Sequence, residues 1–251
     1  MKSLDVTFTP ADFAALKDRK LDDTLCIVFD VFRATSSMVT ALANGAEAII
    51  PVGEIPEAIT LKQKSPAVLL AGERDGIRIR AAQTGGTDFD LGNSPREFTK
   101  EKVAGKTIVM TTTNGTRALR SCAHAKTVLI GSFLNLQATA EHVLSTSPEN
   151  LLVICSGTYE QIAYEDALGA GALCDLIYHK IDHHCISDSA KMARALYTVA
   201  SKDVAAAAST SRNGTRLMGI PDLRDDVPFC TQRDIFNFAG AMQPNGTIKK
   251  L

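Results

Sequence analysis

Short apolar runs alternate with stretches of helical period along the first three quarters of the chain. The runs at residues 4–8, 25–29, 48–51, 67–71, 107–110, 127–130 and 151–155 are rich in Val, Ile and Leu and predict strands. The stretches at 10–17, 34–43, 56–63, 116–123, 136–144 and 162–178 carry helical periodicity between them. Thr9-Pro10 supplies a start signal, with Thr9 as cap and Pro10 in the first turn, and Asn44-Gly45 supplies a stop. Such alternation predicts right-handed βαβ units. The expected fold class is α/β: three layers, with a largely parallel sheet covered by helices on both faces. Ligands of such folds lie at the carboxyl ends of strands.

Residues 72–95 interrupt the alternation with a long, polar, Gly-rich segment, a kind of loop that is usually functional or mobile. Past His184, residues 187–201 and 202–209 predict two Ala-rich helices, and Arg212-Asn213-Gly214 reads as a break. The tail, 229–251, contains Asn245-Gly246, a hairpin turn signal. No repeat, linker or low-complexity block divides the chain. Residues 1–251 are therefore read as a single domain, with a soft subdivision near 181–187.

Composition narrows the functional classes. Apolar content of 45% and charged content of 22% are ordinary for a soluble globular protein. A net charge of −1 provides no global field for nucleic acid or anionic membrane, so neither is expected as a partner. Any anionic ligand must be drawn by local Arg, Lys and backbone donors. The first residues lack the apolar core of a signal peptide, and no apolar run approaches a membrane span. Six cysteines, at 26, 122, 155, 174, 185 and 230, form no CxxC pair, which predicts reduced thiols in a cytoplasmic protein.

The candidate chemistry gathers at strand ends. Thr112-Thr113-Asn114-Gly115-Thr116 follows one strand and opens a helix; outward N–H groups, Thr hydroxyls and the Asn114 amide predict an anion site. The same residues also serve as ordinary helix caps. Asp30-Val31-Phe32-Arg33-Ala34-Thr35 places a carboxylate at another strand end, suited to a divalent metal, with Arg33 and Thr35 suited to a phosphate. The plainer alternative makes Asp30 a cap and Arg33 its ion-pair partner. The haloacid-dehalogenase phosphatases need a second Asp at the position of Phe32, so their mechanism lacks its acid here.

Glu73 and Arg74 lie between Gly72 and Gly76, and Asn93-Ser94 closes the same polar segment; either could be ligand-binding or simply a charged turn and a cap. Cys155-Ser156-Gly157 ends a further strand. A Cys-based phosphatase needs C-x5-R, and position 161 is Gln161, so Cys155 reads as a packed residue. Glu165 and Asp166 follow on the next helix, about 100° apart, so one of them is expected to face the site. Gly169-Ala170-Gly171 reads as a close-packing element within that helix. His179, His183, His184 and Cys185 fall at a polar connection and read as a surface cluster rather than a zinc site.

Taken in order, these segments resemble the 2-phosphosulfolactate phosphatase (ComB-like) family. The matching pieces are Asp30 to Thr35, Ala41-Leu42-Ala43-Asn44-Gly45-Ala46, Gly72-Glu73-Arg74, Asp90-Leu91-Gly92-Asn93-Ser94-Pro95, Thr112 to Thr116, Gly131-Ser132-Phe133-Leu134-Asn135, Glu165-Asp166 and Ser211-Arg212-Asn213-Gly214. The resemblance implies an α/β/α fold, Mg²⁺ dependence and hydrolysis of a phosphate ester on a sulfonated lactate. The stretch from Arg78 to Thr87 is longer and more basic than the family pattern leads one to expect.

The resulting expectation is a Mg²⁺-dependent phosphatase of a small anionic phosphorylated metabolite. Asp30, Glu73, Glu165 and Asp166 are the metal candidates, with Asp30 and Glu73 preferred. Asp30, Arg33, Glu73 and Arg74 are the catalytic candidates. Thr35, Asn93, Ser94, Thr112, Thr113, Asn114, Gly115, Thr116, Ser156, Gly157 and Arg212 are expected to bind the phosphate or the rest of the substrate. Direct attack by a metal-activated water is the favoured route, and an aspartyl-phosphate on Asp30 the alternative. The rival classes are a non-catalytic anion-binding protein on the same fold and a phosphotransferase, for which no nucleotide motif is present. A homo-oligomer is compatible with the sequence, but no residue pattern establishes it.

Overall fold

The computed structural model describes residues 1–251. All seven apolar runs form strands: β1 (Ser3–Thr7), β2 (Thr24–Phe29), β3 (Ala48–Pro51), β4 (Leu69–Arg74), β6 (Thr107–Thr111), β7 (Thr127–Gly131) and β8 (Asn150–Cys155). Three short strands join them: β5 (Ile77–Arg78), β9 (Gly240–Met242) and β10 (Ile248–Lys250). The helices are α1 (Asp12–Asp18), α2 (Ala34–Ala43), α3 (Ile55–Lys64), α4 (Ala81–Thr84), α5 (Lys100–Val103), α6 (Gly115–Ser121), α7 (Leu136–Thr146), α8 (Tyr164–Ile177), α9 (Asp188–Ala200), α10 (Val204–Ser209), α11 (Arg212–Met218) and α12 (Asp226–Cys230).

The strands form one sheet in the order β1-β8-β2-β7-β9-β10-β3-β6-β4-β5. It consists of two parallel groups, β1-β8-β2-β7 and β3-β6-β4, joined by the antiparallel hairpin β9-β10. The predicted turn at Asn245-Gly246 closes that hairpin, with Gly246 at φ +79°. The tail is thus the seam between the two parallel groups rather than an appendage. Helices cover both faces, giving the expected three-layer α/β/α architecture. No helix is long and apolar enough to cross a membrane.

Strand β2 is buried along its whole length because both faces are covered. Its side chains alternate between two cores. Ile27 and Phe29 join Leu168, Leu173 and Tyr197 under α8 and α9. Cys26 and Val28 join Met38, Leu42, Ile108 and Met110 on the other side. Burying each large apolar side chain contributes about 1.5–3 kcal/mol. The Gly169-Ala170-Gly171 element acts in close packing, as expected. A Cβ on Gly171 would fall 2.1 Å from the Ala193 carbonyl oxygen on α9.

Helix α2 is buried from Ala34 to Leu42 even though it carries Thr and Ser. Each hydroxyl is satisfied within the fold: Ser36 Oγ donates to the Val31 carbonyl, Ser37 Oγ to that of Asn93, and Thr40 Oγ1 to that of Ser36. Asn44-Gly45 ends this helix as predicted, with Gly45 at φ +91°.

Three local expectations are corrected. Arg212-Asn213-Gly214 is no break but the first turn of α11, because Ser211 Oγ accepts from the Gly214 N–H and caps it. Thr9 does not cap the first helix. That helix starts at Asp12, whose carboxylate accepts from the Thr9 N–H and hydroxyl. The segment 202–209 is helical only from Val204, capped by Asp203.

Candidate active site

The loops after β2, β4, β6 and β8 meet at one cleft, together with α11. Its cavity volume is about 60 Å³, and Asp30, Arg33, Glu73, Asn93, Thr113 and Asn114 line it. That is room for a few waters or for one phosphoryl group.

Asp30 leaves β2 and is 6% exposed. Its Oδ1 accepts from the Ala34 N–H at the start of α2, while Thr35 Oγ1 accepts from the Asp30 N–H and donates to the Asp30 carbonyl. Thr35 therefore shapes the loop from beneath and does not line the cleft. Arg33 is 3% exposed. It donates to Asp226 Oδ2 at 2.8 Å and to the Gly76 carbonyl at 2.7 Å, leaving its other N–H groups for the cleft. Its ion-pair partner is thus Asp226, not Asp30. Asp226 is fully buried and also accepts from Ser94 Oγ and Arg96 Nε, so Ser94 belongs to this support.

Glu73 ties two loops together. Its Oε1 accepts from the Thr113 N–H at 2.8 Å and its Oε2 from the Gly76 N–H at 2.6 Å. Arg74 runs alongside, donating to the Glu73 carbonyl and to Thr111 Oγ1, outside the cleft. In the β6–α6 loop, Thr112 and Thr116 exchange hydroxyl and backbone bonds with each other. These contacts consume the Thr112, Thr113 and Thr116 N–H groups. The donors left at the cleft are those of Asn114 and the Thr113 hydroxyl, while Gly115 lies behind the lining.

Asp166 and Glu165 divide as helical geometry requires. Asp166 Oδ1 accepts from the Val31 N–H, and its Oδ2 accepts from Ser156 Oγ and the Gly157 N–H. All three groups, Asp166, Ser156 and Gly157, are consumed in joining the β2 and β8 loops. Glu165 Oε1 accepts from Asn213 Nδ2 at 2.6 Å, while its Oε2 is buried with no partner. Asn213 also donates to Thr158 Oγ1 at 2.7 Å. Arg212 points away, exposed and bonded to Gln161. Asn213 and Arg216, one helical turn apart on α11, both line the cleft, as do Thr158 and Tyr159. Sequence reasoning missed these four and Asp226. Reading residues 211–218 as a capped helix gives the i, i+3 spacing that pairs Asn213 with Arg216.

Buried oxygens without partners mark where a ligand belongs. Three of them, Asn93 Oδ1, Thr113 Oγ1 and Glu165 Oε2, lie in or beside this cleft. Burial pushes the Asp30 carboxyl up to about 7, assisted by the neighbouring Glu73 and Glu165 charges. Burial likewise raises Glu165, and raises Asp166 well above the usual range. No three His, Cys, Asp or Glu side chains form a ready-made metal cage. The available donors are hard oxygens from one or two carboxylates, with neutral oxygens alongside. That set suits Mg²⁺, which keeps several waters and takes few protein ligands.

The remaining chemistry-bearing residues lie elsewhere. Cys155 is fully buried, and burial holds its thiol well above the ordinary range, so the nucleophilic thiolate is disfavoured. His179, His183 and His184 are exposed on single-turn helices and form no metal group.

A three-layer α/β/α chain with an oxygen-lined, arginine-flanked cleft at its strand ends belongs to the class of folds that bind small anions there. The comparisons specify the class further. The family model described as 2-phosphosulpholactate phosphatase matches residues 12–244. A protein of Caldicellulosiruptor saccharolyticus named probable 2-phosphosulfolactate phosphatase is 36% identical over 233 residues, covering 91% of this chain and 92% of its own. One of Thermotoga petrophila with the same name is 39% identical over 210 residues, covering 84% and 85%. This chain belongs to the 2-phosphosulfolactate phosphatase family.

Proposed function

We propose that this protein is a phosphatase that hydrolyses 2-phosphosulfolactate to sulfolactate and phosphate with the help of Mg²⁺. The observation that carries the reading is the convergence of Asp30, Arg33 and the unpartnered Asn93 and Thr113 oxygens on one small cleft of a phosphatase-family chain, with the unpartnered Glu165 oxygen behind the cleft-lining Asn213. Asp30 and Glu165 would hold the cation, replacing the protons that burial favours on them. When bound, Mg²⁺ neutralises phosphoryl oxygens and makes a water acidic enough to attack at neutral pH.

The chain's own groups do the rest. Asn114, the Thr113 hydroxyl and Arg33 donate to the phosphoryl oxygens as charge builds on them. Glu73 and Asp166 do not touch the substrate in this reading; they fix the loops that do. In the reaction a water oxygen–phosphorus bond forms and the ester oxygen–phosphorus bond breaks. The proton lost by the water ends on the departing alkoxide. The six unpaired cysteines, all buried except the half-buried Cys185, fit a reducing compartment, so the cytoplasm is the inferred location.

The test is phosphate release from a panel of small phosphoesters, with Mg²⁺ and with chelator. Mg²⁺-dependent release that is fastest on 2-phosphosulfolactate is expected. Tight binding of the ester with no release would favour a non-catalytic anion binder.

A further inference from the structure

Beside the cleft lies a second, larger hollow of about 680 Å³, continuous with it through the shared residues Arg33, Gly76, Asn93 and Ile220. Five cationic side chains line it, Arg33, Arg78, Arg80, Arg96 and Lys102, against only the carboxylates of Glu97 and Asp222. Their placement follows from the chain. Ile79 is fully buried in a small core with Val52, Leu70 and Phe89, and its neighbours Arg78 and Arg80 line the hollow on either side of it in the chain.

The cations are not equally free. Arg96 is held by Asp226 at 2.8 Å and Asp225 at 3.6 Å, and Arg33 by Asp226. Arg78 donates to the Asp90 carbonyl and lies 3.9 Å from Glu97, while its Nε is buried without a partner. Arg80 and Lys102 have no carboxylate within salt-bridge distance. The surplus positive charge therefore sits on Arg80 and Lys102, beside Arg78 with its one distant carboxylate, next to the phosphoryl site but outside it.

We propose that this hollow is a second anion subsite, which takes the sulfonate of the substrate while the phosphoryl group occupies the cleft. The proposal rests on the reading of the cleft as the phosphoryl site. A sulfonate stays ionised at any physiological pH, and it offers three oxygens to guanidinium and ammonium donors. The basic stretch that departs from the family pattern thus acquires a role: Arg78 and Arg80 set specificity for a doubly acidic ester over a singly acidic one.

The test compares kcat/KM for 2-phosphosulfolactate and for 2-phospholactate, which lacks the sulfonate. Arg80→Ala and Lys102→Ala, both at exposed positions, should each lower the ratio by about fivefold, chiefly through KM for the sulfonated ester. The ratio should also fall with added salt. Lys64→Ala, at the exposed end of α3, should leave the ratio as it is. A ratio unchanged in both vestibule variants, with phosphate still released, overturns the subsite and leaves the phosphatase reading standing. No phosphate released from either ester by the unaltered protein overturns the phosphatase reading, and the subsite with it.

Discussion

Gly115, at the start of α6, lies against Asp30, at the end of β2: a Cβ built on Gly115 would fall 2.5 Å from Asp30 Oδ2 and 2.6 Å from Ala34 Cβ. The contact links the two parallel groups of the sheet at the site itself. Gly115 does not have a positive φ, so space, not backbone freedom, requires the missing side chain.

Gly115→Ala should therefore push α6 away from Asp30. The overpacking should cost about 1–3 kcal/mol of stability, and turnover should fall by more than about tenfold. Melting temperature and phosphate release on the same sample check both. Full activity in a protein of normal stability would show that the approach is not needed.

Asn213 should matter where its neighbour does not. Asn213→Ala removes the donor shared by Glu165 Oε1 and Thr158 Oγ1 and leaves a second buried Glu165 oxygen unpaired. Turnover should fall about tenfold to a hundredfold, with a higher Mg²⁺ requirement. Arg212→Ala, at an exposed side chain, should stay within about twofold. Titrating Mg²⁺ against rate in both variants separates them; equal effects would remove Asn213 from the site.

The contrast between these neighbours shows how far the sequence could be read. Strand runs such as 25–29 and 48–51 were legible because two covered faces demand uninterrupted apolar residues. The strand-end placement of Asp30, Glu73 and Thr113 followed from the same alternation. The β9-β10 strands were not legible, being three residues each, although their turn was. The roles of Glu73, Asp166 and Ser94 were not legible either. A carboxylate that fastens two loops and one that awaits a ligand look alike until partners are assigned. Asp226 lies more than 190 residues from Arg33, the residue it anchors, and no local pattern announces such a pair.

Cys155→Ser should leave turnover within about threefold, because the thiol is buried and its thiolate disfavoured. Thiol reagents should not inactivate the unaltered protein through this residue. A trapped phosphocysteine would contradict this.

Stability of the metal-free protein should fall as pH rises. Asp30 holds its proton to about 7 in the fold, against 3.8 when exposed, so between those values the folded chain keeps a proton that the unfolded chain has lost. Glu165 and Asp166 are shifted in the same direction. The melting temperature in chelator should therefore be higher near ~pH 5 than near ~pH 7.5, with Mg²⁺ restoring more at the higher pH. Asp30→Asn should flatten the slope. A melting temperature that climbs over this range would refute the assignment.

The most direct test of the account is phosphate release from 2-phosphosulfolactate at saturating Mg²⁺, measured for the unaltered protein and for Asp30→Asn, whose fold is verified by its melting temperature. The account predicts steady turnover in the first, abolished by chelator, and a loss of about a thousandfold or more in the second. Turnover in folded Asp30→Asn within about threefold of the unaltered protein would contradict it, and so would release that persists undiminished in chelator.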